Sequence, residues 1–269
     1  MDDASASTRH MLPVLNAIFP IAPGANSPSV GYRHLHQQAV NVAGQTIFHH
    51  SLGIDAWHAA MSLILRTVSG KHEFAGSEDE RGSKSLRFSF IVGAMLTSKT
   101  ALDTCLSGQY VQSMMMCRHL IESWIRIAYL EMHPDSARNW FRTDEGPPQP
   151  VKNATMVKRL RSSAGHSKNV ISAVQMIAEA DKYSHPSPET IASVYGASLA
   201  HGLLGTVYKQ HMASLTIHLA ASSCLLIADE LPHVILLTQV FQDEVERIDQ
   251  QLQSWDLEQS ASSTLESQE

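Results

Sequence analysis

Apolar residues recur at three- and four-residue intervals along most of this chain, and no sustained alternation of period two appears. Ile54, Trp57, Met61, Ile64 and Val68 make a 3-4-3-4 stripe, and Leu237, Phe241, Val245, Ile248, Leu252 and Trp255 make another. The pattern predicts helices over 32–69 (broken near Gly44 or Gly53), 86–106, 109–132, 135–142, 151–162 and 167–182. A long Ala/Gly/Ser-rich helical region follows to about Asp229, and a last helix begins at Pro232. The fold class is all-α, a helical bundle around a central buried helix at about 109–132.

That central stretch, GQYVQSMMMCRHLIESWIRIAYLEMH, sets the problem. With Arg118 as the zero of a helical wheel, Val111, Met114, Met115, Ile121, Ile125, Tyr129 and Met132 fall within about 60° of it. Glu122 lies one turn on, about 40° round. The opposite side carries Met116, Leu120, Trp124 and Ile127. A helix apolar all round is buried by neighbours on several sides. Its two charges must then be paired, because unpaired burial costs several kcal/mol. The Arg-before-Glu order at i,i+4 is the weaker one for a surface pair. Either the pair pins helices in register, or it forms a pocket where Glu122 moves a proton or Arg118 binds an anion.

Punctuation divides the rest. Four prolines and Gly24 mark an irregular N-terminal arm over 1–30, followed by a helical extension over 31–70. The charged KHEFAGSEDERGSKS, 71–85, predicts a surface loop ahead of a main bundle over 86–255. The polar tail 256–269 is expected to be disordered. Ser187, Pro188 and Glu189 predict a helix start.

Composition narrows the classes. A net charge of -6 disfavours general nucleic-acid binding. Cys105, Cys117 and Cys224 fall in helical patterns and predict reduced core thiols of a cytoplasmic protein. The opening MDDASASTRH has no basic segment before an apolar one, so no secretory signal is expected. Met212 to Ala228 is the most membrane-like run, yet it is short and carries His218, which favours a buried helix.

The 15 histidines raise a metal reading, which their spacing does not support. His34 and His36 point to different sides of a helix, and His211 and His218 share a face without a carboxylate between them. With no H-E-x-x-H, C-x-x-C or EF-hand loop, no metal or other cofactor is expected. The G-x-S-x-G elbow and the phosphate-binding glycine loops are also missing. From Gly146 to Ala178 the chain carries Lys152, Lys158, Arg159, Arg161 and Lys168 and no acid. This 152–168 basic stripe is either a solvated face or a surface for RNA, a phosphate ligand or an acidic partner. A homodimer through apolar outer helix faces is compatible with the pattern.

The R-H-L-I-E-S run after G-Q-Y, together with Tyr183-Ser184-His185-Pro186-Ser187, resembles an uncharacterised family of bacterial all-helical proteins. The matching residues are Arg118, Glu122, Tyr183, Ser184 and His185, within roughly 86–218. The family's architecture is similar to the HEPN class, some of whose members are ribonucleases of defence systems with an R-x(4–6)-H motif. Here that spacing occurs at Arg66/His72, Arg126/His133, Arg159/His166 and Arg161/His166, the last within the basic stripe. The resemblance implies that Arg118, Glu122, Tyr183 and His185 converge on one buried polar pocket. Three functions are compatible: a binding or defence-associated module, a metal-independent HEPN-type ribonuclease using Arg161 and His166, and a hydrolase-like pocket with Glu122 and His185 as catalytic groups.

Overall fold

A computed structural model describes residues 30–69, 72–140, 150–163, 167–184, 208–235 and 239–266, and among them every regular element is helical. In chain order these are α1 (Val30–Val68), α2 (Glu78–Leu106), α3 (Tyr110–Met132), a 3₁₀ stretch (Pro134–Trp140), α4 (Asn153–Arg161), α5 (Ser167–Ser184), α6 (Gln210–Glu230), a short 3₁₀ turn (Leu231–His233) and α7 (Gln239–Glu266). The expected all-α bundle is what forms. The N-terminal arm (Val30 apart) and the helix start at Ser187 to Glu189 lie outside the described residues.

Local chemistry fixes the boundaries. The Ser77 hydroxyl accepts from the Glu80 N–H, and Glu80 Oε2 accepts from the Ser77 N–H at 2.7 Å, a capping box. This starts α2 at Glu78, inside the segment read from sequence as a loop; SEDE is a helix start there, and Gly82 merely dilutes the pattern. Gly108, at φ 74, supplies the left-handed residue that turns α2 into α3, with its N–H donating to the Cys105 carbonyl at 2.8 Å. Pro134 ends α3 as expected.

Packing makes α3 the axis. It meets α2, α4, α5 and α6, and Cys117, Leu120, Ile121, Trp124, Ile125 and Tyr129 have no exposed surface. The three cysteines are free and buried, and burial raises their thiols well above the ordinary range, Cys105 and Cys224 to about 12. Trp57 Nε1 donates to Ser98 Oγ at 2.7 Å, and Ser98 Oγ lies 3.0 Å from Cys224 Sγ, which ties α1, α2 and α6 together. The N-terminal extension is therefore part of the core. The stretch Gln210–His233 is long and apolar enough to cross a membrane, but most of its apolar part is buried by its neighbours.

Two helices depart from expectation. The bend in α1 falls at His50 (φ -128, ψ 25), not at a glycine. His50 is fully buried, its Nε2 lies 3.0 Å from Tyr208 Oη, and Trp255 meets its ring edge-on. These contacts hold the break. Gly53 instead permits close approach, since a Cβ there would stand 2.8 Å from the Trp255 ring. At the other end α7 runs to Glu266, well into the expected disordered tail. No Gly or Pro interrupts 256–266, and the Ser260 hydroxyl bonds back to the Asp256 carbonyl, so a polar helix end stood where composition predicted a coil.

Candidate functional site

Among the residues left uncovered on α3, Gln112, Met115, His119, Glu122 and Arg126 follow a 3-4-3-4 line, with Arg118 beside it. The C-terminal end of α5 crosses beside this line without closing over it. A cleft of about 360 Å³ remains, lined by Met115, Arg118, His119, Glu122 and Ser184. Met115, half exposed and one turn before Arg118 and His119 on the same face, is the apolar member of the lining.

The charges form a chain of alternating sign. Asp181 Oδ1 on α5 pairs with Arg118 Nη1 at 2.8 Å; Arg118 Nε donates to Glu122 Oε1 at 3.3 Å; Arg126 Nη2 donates to Glu122 Oε2 at 3.4 Å. Among the described residues, two arginines and two carboxylates balance. Each pair is partly wet, with Arg118 at 34% and Glu122 at 19% side-chain exposure. Such pairs contribute little to stability, and their effect is to hold side chains in place.

The predicted burial of Arg118 and Glu122 therefore needs correcting. They stand at the rim of a cleft, not in the interior, because α5 covers only one side of their line. The reason Arg118 is held is Asp181, a partner the sequence reading did not name. Ser184 does line the cleft; it is 4% exposed and its hydroxyl has no hydrogen-bond partner among the described residues. Tyr183 does not line it. Its hydroxyl lies 3.4 Å from His211 Nε2 on α6, so it braces α5 against α6. His185 and His166 lie outside the described residues. Arg161 is exposed at the end of α4, away from the cleft lining. Arg159, also exposed, donates to Tyr129 Oη at 2.6 Å.

A second polar centre, which sequence reasoning missed, is the truly interior one. Arg87 on α2 lies between Glu131 at the end of α3 and Glu230 at the end of α6, at 3.7 and 3.5 Å. Arg87 and Glu230 are almost fully buried. Trp124 Nε1 donates to Glu230 Oε1 at 3.2 Å, Arg87 Nη1 to the His233 carbonyl at 3.3 Å, and His233 Nδ1 lies 3.0 Å from Glu131 Oε1. Burial, and then the neighbouring Glu131 carboxylate, push the Glu230 carboxyl well above the usual range despite Arg87. Burial lowers the Arg87 guanidinium, against the pull of both carboxylates. The signal was present. Arg87 heads the stripe Ile91, Ala94, Ser98, Ala101 and Cys105, and Glu230 closes an apolar run.

Among the described residues no group of three His, Cys, Asp or Glu side chains is arranged to hold a metal ion. Comparison with family models, with curated proteins and with solved structures gives no match to this chain. Fold and site together define an all-α protein with an ion-paired cleft on its central helix.

Proposed function

We propose that this chain is a binding module, serving interaction or defence, whose ligand seats in the cleft on α3. The observation that carries this reading is the Ser184 hydroxyl, buried with no hydrogen-bond partner among the described residues, beside the fixed Arg118–Glu122 pair and Met115. A buried hydroxyl left unsatisfied costs about 1–3 kcal/mol, which a ligand acceptor or donor recovers. Because the charge chain is balanced, the ligand class is a small polar molecule without net charge, with one apolar face for Met115. Glu122 acts here as a fixture. Both its oxygens already accept from arginines, which suits positioning better than proton transfer and weighs against the hydrolase-like pocket with His185.

Thermal unfolding with a set of uncharged amide and heterocyclic fragments tests the binding reading. At ten times its dissociation constant a fragment adds about 1.4 kcal/mol, a rise of about 3–5 °C for a chain of this size. The rise is expected in wild type and Arg161→Ala and is expected to vanish in Arg118→Ala and Ser184→Val. No rise with any fragment, or equal rises in all four proteins, contradicts it.

The HEPN-type ribonuclease is the second reading, supported by the exposed Lys158 and Arg161 on a helix that carries no acid. RNA cleavage and growth toxicity in Arg161→Ala, His166→Ala, Glu122→Ala and His185→Ala separate the possibilities. Loss confined to the first two selects the nuclease, and loss confined to the last two selects the hydrolase-like pocket.

A further inference from the structure

Away from the cleft, on the seam of α6 and α7, three side chains stand in the order of an acyl-transfer relay. His218 Nδ1 lies 3.0 Å from Asp256 Oδ1 and 2.8 Å from Oδ2, and Ser222 Oγ lies 3.5 Å from His218 Nε2. Ser222 and His218 are one turn apart on α6, and Asp256 reaches across from α7. His218 and Asp256 are each about one-third exposed (36% and 34%), so a reagent can reach them while the fold fixes their directions. With Nδ1–H donating to the carboxylate, Nε2 is the acceptor, and it faces the serine hydroxyl.

We propose that Ser222, His218 and Asp256 form an acyl-transfer site that accepts activated esters of short apolar acids. Leu215 and Leu226, both partly exposed, flank the pair along α6 and supply the apolar contact for the acyl chain. Ser222 Oγ attacks the acyl carbon while its proton passes to His218 Nε2, and Asp256 stabilises the imidazolium. The bond to the leaving oxygen then breaks, and that oxygen takes the proton from His218, leaving acyl-Ser222. Water hydrolyses this ester with His218 again as base, releasing the carboxylic acid and restoring the serine. Interior helix N–H groups are spent on the preceding turn, so no backbone oxyanion hole stands beside Ser222. The substrate must therefore carry a good leaving group, and amides are excluded.

The test uses the full chain and 4-nitrophenyl butyrate. Nitrophenolate release is followed, and the acylated residue is found by peptide mass mapping. Wild type is expected to carry butyrate on Ser222, and Ser222→Ala, which keeps the His218–Asp256 bridge, is expected to lose the burst. His218→Gln is expected to slow acylation on the order of a hundredfold, the contribution of a positioned general base. If His218→Gln melts early, Asp256→Asn, which retains a neutral hydrogen-bond acceptor, carries the same comparison. A wild-type protein with no acyl group on Ser222, or one acylated there equally fast without the base, overturns the proposal and leaves His218–Asp256 as a strut between α6 and α7.

Discussion

Arg87→Met removes the guanidinium that stands between Glu131 and Glu230, at 3.7 and 3.5 Å, inside the core. At such separations and an effective dielectric near 20, each attraction is worth about 4–5 kcal/mol before desolvation. Desolvation of the three groups cancels most of that gain. Breaking the network from one side is a different matter, because the buried Glu230 carboxyl and Glu131 are left facing each other. The expected cost is about 3–5 kcal/mol, a large share of a typical 5–15 kcal/mol total. The cost must also depend on pH. Glu230 has its folded pKa raised by burial and by Glu131, so its contribution is fully present below the unfolded value and is lost as pH rises through the folded one. Removing Arg87 raises it further, and the variant should lose ground toward alkaline pH by up to about 1.4 kcal/mol per unit. Urea unfolding followed by circular dichroism at pH 7 and pH 10 measures this, because wild-type Glu230 ionises only above about 8, with the double variant Arg87→Met/Glu230→Gln as control. A glutamine cannot ionise and retains an oxygen for Trp124 Nε1, so the double variant should recover most of the alkaline loss. A deficit below about 1 kcal/mol, or one equal at both pH values, refutes the reasoning.

His50 gives the opposite slope. Burial lowers its imidazole from the ordinary 6.5 to about 4, so stability falls as pH drops from 6.5 toward 4, by at most about 3 kcal/mol. His50→Gln should flatten that limb in a melting series. Gly53→Ala gains about 1 kcal/mol of helix propensity but drives a Cβ to 2.8 Å from Trp255; the net should be a loss of about 1–2 kcal/mol in urea midpoints. Arg118→Ala, by contrast, should cost about 1 kcal/mol or less in the same assay, since its partners are partly solvated.

The fold was legible because it rests on periodicity. The stripes on 54–68 and 241–255, and the all-apolar wheel of 110–130, each have one helical solution. The Arg118–Glu122 pair was legible for the same reason, as two charges in an apolar pattern. Its depth was not, because a wheel records which way a residue faces and not whether a neighbour covers that face. Met115 and Glu122 meet solvent where Trp124 and Tyr129 do not. Partners distant in sequence were equally out of reach. Asp181 for Arg118, Glu230 for Arg87 and Asp256 for His218 are joined only by packing. The bend at His50 shows the converse error: glycine permits a break, but here the buried contacts to Tyr208 and Trp255 decide where it falls.

The most direct test of a ligand seat on α3 is the methyl signal of Met115 in protein labelled with ¹³C at the methionine methyls. Its side chain is the apolar member of the cleft lining, and the fully buried Met114 and Met156 serve as internal references. Titration with the fragments that raise the melting temperature should move the Met115 signal saturably, leave the references in place, and have no such effect in Ser184→Val. A Met115 signal that stays fixed while those fragments stabilise the protein would place their site elsewhere and contradict the account.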